Sequence, residues 1–311
     1  MKTVFVPEYV DECGLHFLES RGYSLKRGSG IREDEIAKGL HGCEAVIVRV
    51  APVTEKIMAE NPQLKVIGKH GVGVDSIDVE AASRRGIRIV NTPGANSNSV
   101  AEHTFALMLA LARQLKPLDN AVKLGDYTAK NRYQAHELTG KTLSLVGIGR
   151  IGSILAEKAH AFGMNIVAFD PYAKSFPSYV ERVKALEDLL PRADVVSIHS
   201  PLTPETRGMI GEREFSLMKH GVMLLNCARG AVVDHEALVN ALESGKVCAA
   251  GLDATEPEQL PIDHPLLRMS NVIVTPHSGA ASLDALRQMS MQVCMDIDNV
   301  LSGRAPEHPI N

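Results

Sequence analysis

The stretch Thr142-Leu143-Ser144-Leu145-Val146-Gly147-Ile148-Gly149-Arg150-Ile151-Gly152 decides the fold. It reads as an apolar strand, a G-x-G-x-x-G turn and the opening of a helix. Each glycine has its own physical reason. Gly147 permits the tight turn, Gly149 lets the backbone approach a pyrophosphate, and Gly152 lets helix and strand pack closely. The helix start offers unpaired N–H groups and a positive dipole end to an anion. The next apolar run, Asn165–Asp170, ends in an acid 18 residues beyond Gly152. A carboxylate there accepts hydrogen bonds from both ribose hydroxyls and repels a 2′-phosphate, which favours NAD over NADP.

Around this stretch, short Val/Ile/Leu runs alternate with helical patterns along the whole chain. Predicted strands are Thr3–Val6, Ala45–Arg49, Lys65–Gly68, Ile87–Asn91, Thr142–Val146, Asn165–Asp170, Asp194–His199, Val222–Asn226, Val247–Leu252 and Asn271–Thr275. Continuous apolar runs, as opposed to alternating ones, mark parallel strands covered on both faces. The expected class is therefore α/β, with two doubly wound parallel-sheet domains. Two longer helical patterns interrupt the rhythm. Ser97–Lys116 is expected to halt near Pro117, and Ser282–Ser302 before Gly303. Each is long enough to bridge two domains, so the chain is expected to cross on one and return on the other. The predicted division is residues 1–96 plus 283–311, and 97–282, with a ligand cleft between.

The 311-residue length suits two domains. With 33 Lys and Arg against 37 Asp and Glu the net charge is −4, which argues against a nucleic-acid backbone binder. The absence of Trp argues against base-stacking platforms. The longest apolar run, Phe105–Ala112, is far short of the roughly 20 residues a membrane span needs. Five cysteines without CxxC spacing disfavour a disulfide framework or a zinc site and point to the cytoplasm; no metal is expected.

Three further strand ends carry reactive groups: Arg229 after Val222–Asn226, Glu256 and Glu258 after Val247–Leu252, and His277 after Asn271–Thr275. Ligands of doubly wound sheets bind beyond the carboxyl ends of the strands. Reduction of a 2-oxo acid needs a hydride and a proton. Histidine supplies the proton near neutral pH, a bonded carboxylate raises its pKa, and an arginine fork orients a carboxylate and polarises a carbonyl.

The motifs Lys69-His70-Gly71-Val72-Gly73-Val74-Asp75, Asn91-Thr92-Pro93, Val100-Ala101-Glu102, the glycine loop, His199-Ser200-Pro201-Leu202-Thr203, Asn226-Cys227-Ala228-Arg229-Gly230 and Thr275-Pro276-His277 together resemble the D-isomer-specific 2-hydroxyacid dehydrogenases, a family that includes 3-phosphoglycerate dehydrogenase and glyoxylate/hydroxypyruvate reductase. The resemblance covers nearly the whole chain. It implies a flavodoxin-like substrate domain, a Rossmann NAD domain and a homodimer formed through the latter. Arg229 would orient the substrate and His277 act as acid/base. The partner acid lies five residues past Asp253 by the family's count, which selects Glu258 over Glu256. The resemblance also implies Arg150 and Ile151 at the pyrophosphate, Cys227, Ala228 and Asp253 on the nicotinamide side, Gly279 among the cofactor-binding residues, and the N–H groups of Val72 and Gly73 at the substrate carboxylate, with Arg49 and Asn96 nearby. Regulatory domains of the longer phosphoglycerate dehydrogenases, and feedback by serine, are not expected. Arg49, Lys69, His70 and Arg132 are the basic residues available for a second anionic group (phosphate, sulfonate or carboxylate) on the substrate. Two other readings share the scaffold: an NAD-sensing binding protein of the corepressor type, and another hydride-transfer enzyme of the phosphite dehydrogenase type.

Overall fold

The computed structural model describes residues 1–28 and 30–311. Twelve strands are formed among them: β1 (Thr3–Val6), β2 (Ser24–Arg27), β3 (Ala45–Val48), β4 (Val66–Lys69), β5 (Arg88–Val90), β6 (Thr142–Val146), β7 (Asn165–Phe169), β8 (Val180–Val183), β9 (Val195–Ile198), β10 (Val222–Asn226), β11 (Val247–Leu252) and β12 (Val272–Val274). The helices are α1 (Glu12–Ser20), α2 (Glu33–Gly39), α3 (Glu55–Glu60), α4 (Val79–Arg84), α5 (Ser97–Ala112), α6 (Leu115–Lys123), α7 (Arg150–Ala161), α8 (Leu186–Leu189), α9 (Glu212–Leu217), α10 (His235–Glu243), α11 (Pro265–Arg268) and α12 (Leu283–Leu301).

The chain forms two compact units, Met1–Asn96 with Ala280–Asn311, and Ser97–Gly279. The first holds a parallel sheet in the order β2-β1-β3-β4-β5, the flavodoxin-like order. The second holds a seven-stranded parallel sheet in the order β12-β11-β10-β9-β6-β7-β8. Counting β6 as strand one, this is the Rossmann order 3-2-1-4-5-6 with one strand added at the far edge. The order reverses between β6 and β9, and the glycine loop leaves β6 at that switch point.

β3, β4, β9 and β10 are buried along their whole length, as their continuous apolar sequences require. Two strands, β2 and β8, depart from the predicted set. Both lie at sheet edges, where one side is left to solvent, and their sequences Ser24-Leu25-Lys26-Arg27 and Val180-Glu181-Arg182-Val183 carry charge in place of an apolar run.

The two long helices stand at the two crossings of the chain. α5 packs in the second unit, Leu107, Met108 and Leu111 sharing a core with Leu143, Leu225 and Ala249. α12 packs in the first, Val293 and Ile297 joining Val4, Val66 and Val90. Side chains at Gly68 and Gly14 would block that seat. A Cβ at Gly68 would stand 2.6 Å from Val293 Cγ2, and one at Gly14 2.4 Å from the Ser290 carbonyl oxygen. The chain passes between units at Asn96/Ser97 and Gly279/Ala280, just ahead of each helix. The predicted helix Ser97–Lys116 stops at Ala112, because Gln114 adopts φ 55° and turns the chain into α6. Pro117 does not end a helix; it sits in the first turn of α6, where its missing N–H has no partner to lose.

Candidate active site

The glycine loop has the geometry its sequence demands. Gly147 has φ 98°, and its N–H bonds the Phe169 carbonyl at 2.8 Å. A Cβ at Gly152 would lie 2.4 Å from the Gly147 carbonyl oxygen, so any side chain would force α7 off the turn. Gly149, the N-cap of α7, behaves in the opposite way: a Cβ there meets nothing within 4 Å, and no side chain caps the helix. This open, uncapped helix start is a cradle that fits a dinucleotide pyrophosphate, with the N–H groups of Arg150 and Ile151 in the first turn.

Asp170 closes the loop from β7. Its Oδ2 accepts the Ile148 N–H at 3.0 Å, and Oδ1 accepts those of Tyr172 and Ala173 at 2.9 and 3.0 Å. The acid expected at the ribose thus also fastens the glycine loop and starts the Asp-Pro turn. A carboxylate has about four acceptor sites, so one remains for a ligand hydroxyl.

Beyond β10, β11 and β12 the three reactive segments are brought together. His277 Nδ1 lies 2.6 Å from Glu258 Oε1, which selects Glu258 over Glu256 as the bonded acid. The Glu258 hydrogen bond raises the His277 pKa above its ordinary value. Partial burial opposes this, the charges of Glu258 and Asp253 add to it, and Arg229 works against it. In Glu258→Gln the imidazole is expected to titrate at lower pH, read from its ring-proton NMR shifts; an unmoved titration would show that the carboxylate does not set it. Arg229 follows β10 in extended conformation, its Nη1 donating to the Ala228 carbonyl at 2.9 Å while Asn226 Nδ2 holds the Arg229 carbonyl at 2.9 Å. Gly230 is the reason this segment lies so close to the Glu258 loop. A Cβ there would stand 2.1 Å from the Thr255 carbonyl carbon.

Asp253 is 3% exposed. Its Oδ1 accepts the Thr275 hydroxyl at 2.5 Å and the Ser278 N–H at 2.8 Å, and its Oδ2 accepts the Gly279 N–H at 2.8 Å. Burial pushes its pKa up, but bonds from His103, Thr275, Ser278 and Gly279 outweigh this and hold it below the ordinary carboxylate value. Cys227, beside it, is a neutral thiol pushed up to about 12 by burial and therefore no nucleophile.

The first unit carries the other predicted residues. The loop after β4 is anchored by Asn91 Nδ2 on the Val72 carbonyl (2.8 Å) and by the Thr92 N–H on that of Gly71 (3.0 Å). Among the described residues no acceptor meets the N–H groups of Val72 and Gly73. Arg49 follows β3 on a loop whose three successive N–H groups, those of Arg49, Val50 and Ala51, bond the Glu8 carboxylate at 2.6, 3.0 and 3.1 Å. Asn96 has a buried Oδ1 without a partner. Of the other basic residues considered for a second anion, Lys69 donates to the Arg49 carbonyl and Ser76 Oγ, and Arg132 pairs with Asp126 at 2.5 Å. His70 is buried with both ring nitrogens unpartnered, and burial lowers its pKa to about 4.

Residues 105–279 match the family model described as D-isomer specific 2-hydroxyacid dehydrogenase, NAD binding domain. The chain belongs to the D-isomer specific 2-hydroxyacid dehydrogenase family. A D-3-phosphoglycerate dehydrogenase of Methanocaldococcus jannaschii is 41% identical over 317 residues, covering 100% of this chain and 60% of that protein. The chain thus spans about three fifths of the length of the curated relatives it matches. Among solved structures, the TT0316 protein of Thermus thermophilus superposes with a TM-score of 0.89 at 39% identity, covering 99% of this chain and 100% of that one. An NAD-dependent formate dehydrogenase of Staphylococcus aureus, solved with NAD, gives a TM-score of 0.87 at 31% identity, covering 97% and 96%. NAD is accordingly the cofactor of this dehydrogenase fold, and the open Gly149 cradle fits it.

The sequence by itself assigns no role to Glu8, His103, Thr275 or Gly230, although the last two stand within the motifs above. Glu8 carried a signal, since it lies two residues beyond β1, at the carboxyl end of a parallel strand. His103 carried none, because its partners Asp253 and Thr275 lie in distant segments of the chain.

Proposed function

We propose that this chain is an NAD-dependent oxidoreductase interconverting a D-2-hydroxy acid and its 2-oxo acid, of the phosphoglycerate dehydrogenase type. The observation that carries the reading is the 2.6 Å His277–Glu258 pair standing on the same strand-end face as Arg229 and the glycine loop. Catalytic roles fall to Arg229, Glu258 and His277.

Bound nicotinamide supplies or accepts the hydride. Gly147, Gly149, Arg150, Ile151 and Gly152 hold the pyrophosphate, Asp170 the ribose, and Cys227, Ala228, Asp253 and Gly279 line the nicotinamide side. The N–H groups of Val72 and Gly73 take the substrate carboxylate, with Arg49 and Asn96 around the remainder of the acid. Arg229 orients the carboxylate and polarises the 2-oxo group. His277, protonated through its bond to Glu258, delivers the proton to the oxygen as the carbonyl is reduced; in the reverse direction the neutral ring removes it. The named activity of the Methanocaldococcus relative supports a phosphorylated substrate, with Arg49 as the cation for it.

The test is a spectrophotometric panel with NAD and 3-phosphoglycerate, sulfolactate, tartronate, malate and lactate. Turnover confined to acids with a second anionic group is expected. Turnover of lactate alone would remove the phosphoglycerate-type assignment, and a silent panel with tight NADH binding would favour the sensor reading.

A homodimer through the second unit and a cytoplasmic setting belong to the same proposal. The first is supported by apolar side chains left to solvent on α6 and the turn after it, among them Leu124 (87% exposed) and Tyr127 (73%). The second is supported by five free cysteines. Sedimentation should give a dimer that Leu124→Asp weakens at least tenfold. A monomeric parent would overturn the association.

A further inference from the structure

We propose that His103 is a positioning residue for His277: it braces the Asp253–Thr275 pair that holds the His277 turn in its working conformation. This rests on the reading of His277 as acid/base, and it concerns the second unit alone.

His277 has φ 51°, a left-handed conformation that a non-glycine residue adopts at a cost and keeps only when its surroundings enforce it. The enforcement is visible. Asp253 grips the turn from inside, taking the Thr275 hydroxyl, the Ser278 N–H and the Gly279 N–H with one carboxylate. A Cβ on Gly279 would come 2.9 Å from Asp253 Oδ2, so a larger residue would push the carboxylate away from this grip.

α5 completes the arrangement. Ser99 Oγ donates to the Gly279 carbonyl at 2.6 Å. One helical turn on, His103 Nε2 lies 3.0 Å from Thr275 Oγ1 and 3.3 Å from Asp253 Oδ1. The proton assignments follow from the donors available. The Thr275 hydroxyl donates its only hydrogen to Asp253, so its oxygen accepts from His103, which must then carry a proton on Nε2. That N–H also faces Asp253 Oδ1. His103 therefore contributes a donor to a carboxylate that is almost entirely out of water, and it fixes the rotamer of the threonine that opens the turn. The ionisable groups acting on Asp253 are His103 from α5, His277 from the turn and Cys227 from the end of β10.

Removing the His103 donor leaves the buried Asp253 charge less well stabilised, which raises its pKa. Protonation of Asp253 removes an acceptor from the grip and releases the turn. The consequences are a looser His277 and an acid-side loss of activity that begins at higher pH.

The experiment compares kcat–pH profiles for 2-oxo acid reduction by the parent, His103→Leu and His103→Gln, with NADH affinity and Tm measured on each. Glutamine keeps an N–H donor on a side chain of similar reach. For His103→Leu, kcat is expected to fall about 10- to 100-fold, the scale of a misplacement near 1 Å at the reacting centre. Its acid limb should move to higher pH while NADH affinity stays within about threefold, and His103→Gln should restore most of kcat and the acid limb. A leucine variant with parental kcat and profile would overturn the proposal. So would leucine and glutamine variants that lose activity equally with an unmoved acid limb, since that is the pattern of bulk destabilisation. His277→Ala, run alongside, separates the two readings. If it stays active, the acid/base assignment fails; if it is inactive while His103→Leu is unaffected, only the positioning role fails.

Discussion

Replacing His277 with alanine is expected to lower kcat for 2-oxo acid reduction by about 10²–10⁴-fold, the usual contribution of a positioned general acid, with NADH binding unchanged. The split follows from the architecture. The cofactor cradle is built on β6, α7 and β7, from glycines and backbone N–H groups, whereas His277 stands after β12 and bonds Glu258 after β11. Alanine also relieves none of the turn's other restraints, since Asp253 grips Thr275, Ser278 and Gly279 and leaves residue 277 itself alone. The parent should show a sign that tests the mechanism. Because the Glu258 bond raises the His277 pKa, reduction should hold a plateau below that pKa and fall as pH rises through it. Oxidation, which needs the neutral ring, should rise over the same interval. Stopped-flow traces of NADH in both directions, with fluorescence titration of NADH, decide the matter. Survival of more than a tenth of kcat in His277→Ala would transfer the acid/base role elsewhere.

Gly230→Ala is expected to be the most damaging single-methyl change in the second unit. The added carbon would meet backbone, not the flexible end of a side chain: the Thr255 carbonyl carbon at 2.1 Å, its oxygen at 2.3 Å and the Glu256 nitrogen at 2.5 Å. One strand-end segment must move away from the other, and Arg229 and Glu258 are carried on those two segments. A cost of about 3 kcal/mol or more in stability is expected, at the upper end for overpacking. kcat/KM should fall by about two orders of magnitude in whatever protein remains folded, as for a displacement near 1 Å. Thermal unfolding and steady-state kinetics measure the two effects separately. A fully stable and fully active variant would show that the close approach of the two loops is not required.

Much of the fold was legible because burial on both faces leaves a plain mark in a parallel strand. Val46-Ile47-Val48 and Met223-Leu224-Leu225 could only be interior. β2 and β8 were not legible because an edge strand is stabilised by one neighbour and half wetted, so Lys26, Arg27, Glu181 and Arg182 erase the apolar run. The break between α5 and α6 was misplaced for a related reason. The apolar pattern runs on through Leu115 and Leu118, and the turn is made by the backbone at Gln114, a residue type with no strong preference for the left-handed region.

The candidate site divides along the same line. Local order alone determined the glycine loop and the acid after β7, because strand, turn and helix start are neighbours in sequence and Gly152 answers the Gly147 carbonyl five residues back. The carboxylate paired with His277 was a different matter. Local reading left Glu256 and Glu258 equivalent, family spacing preferred the second, and the 2.6 Å bond decided it. His103 with Asp253, Glu8 with the N–H groups after β3, and Gly230 against Thr255 were decided only by the tertiary structure. Parallel sheets place the carboxyl ends of strands side by side however far apart they are in the chain. Side chains from distant segments meet there with no periodicity or spacing in the sequence to announce them.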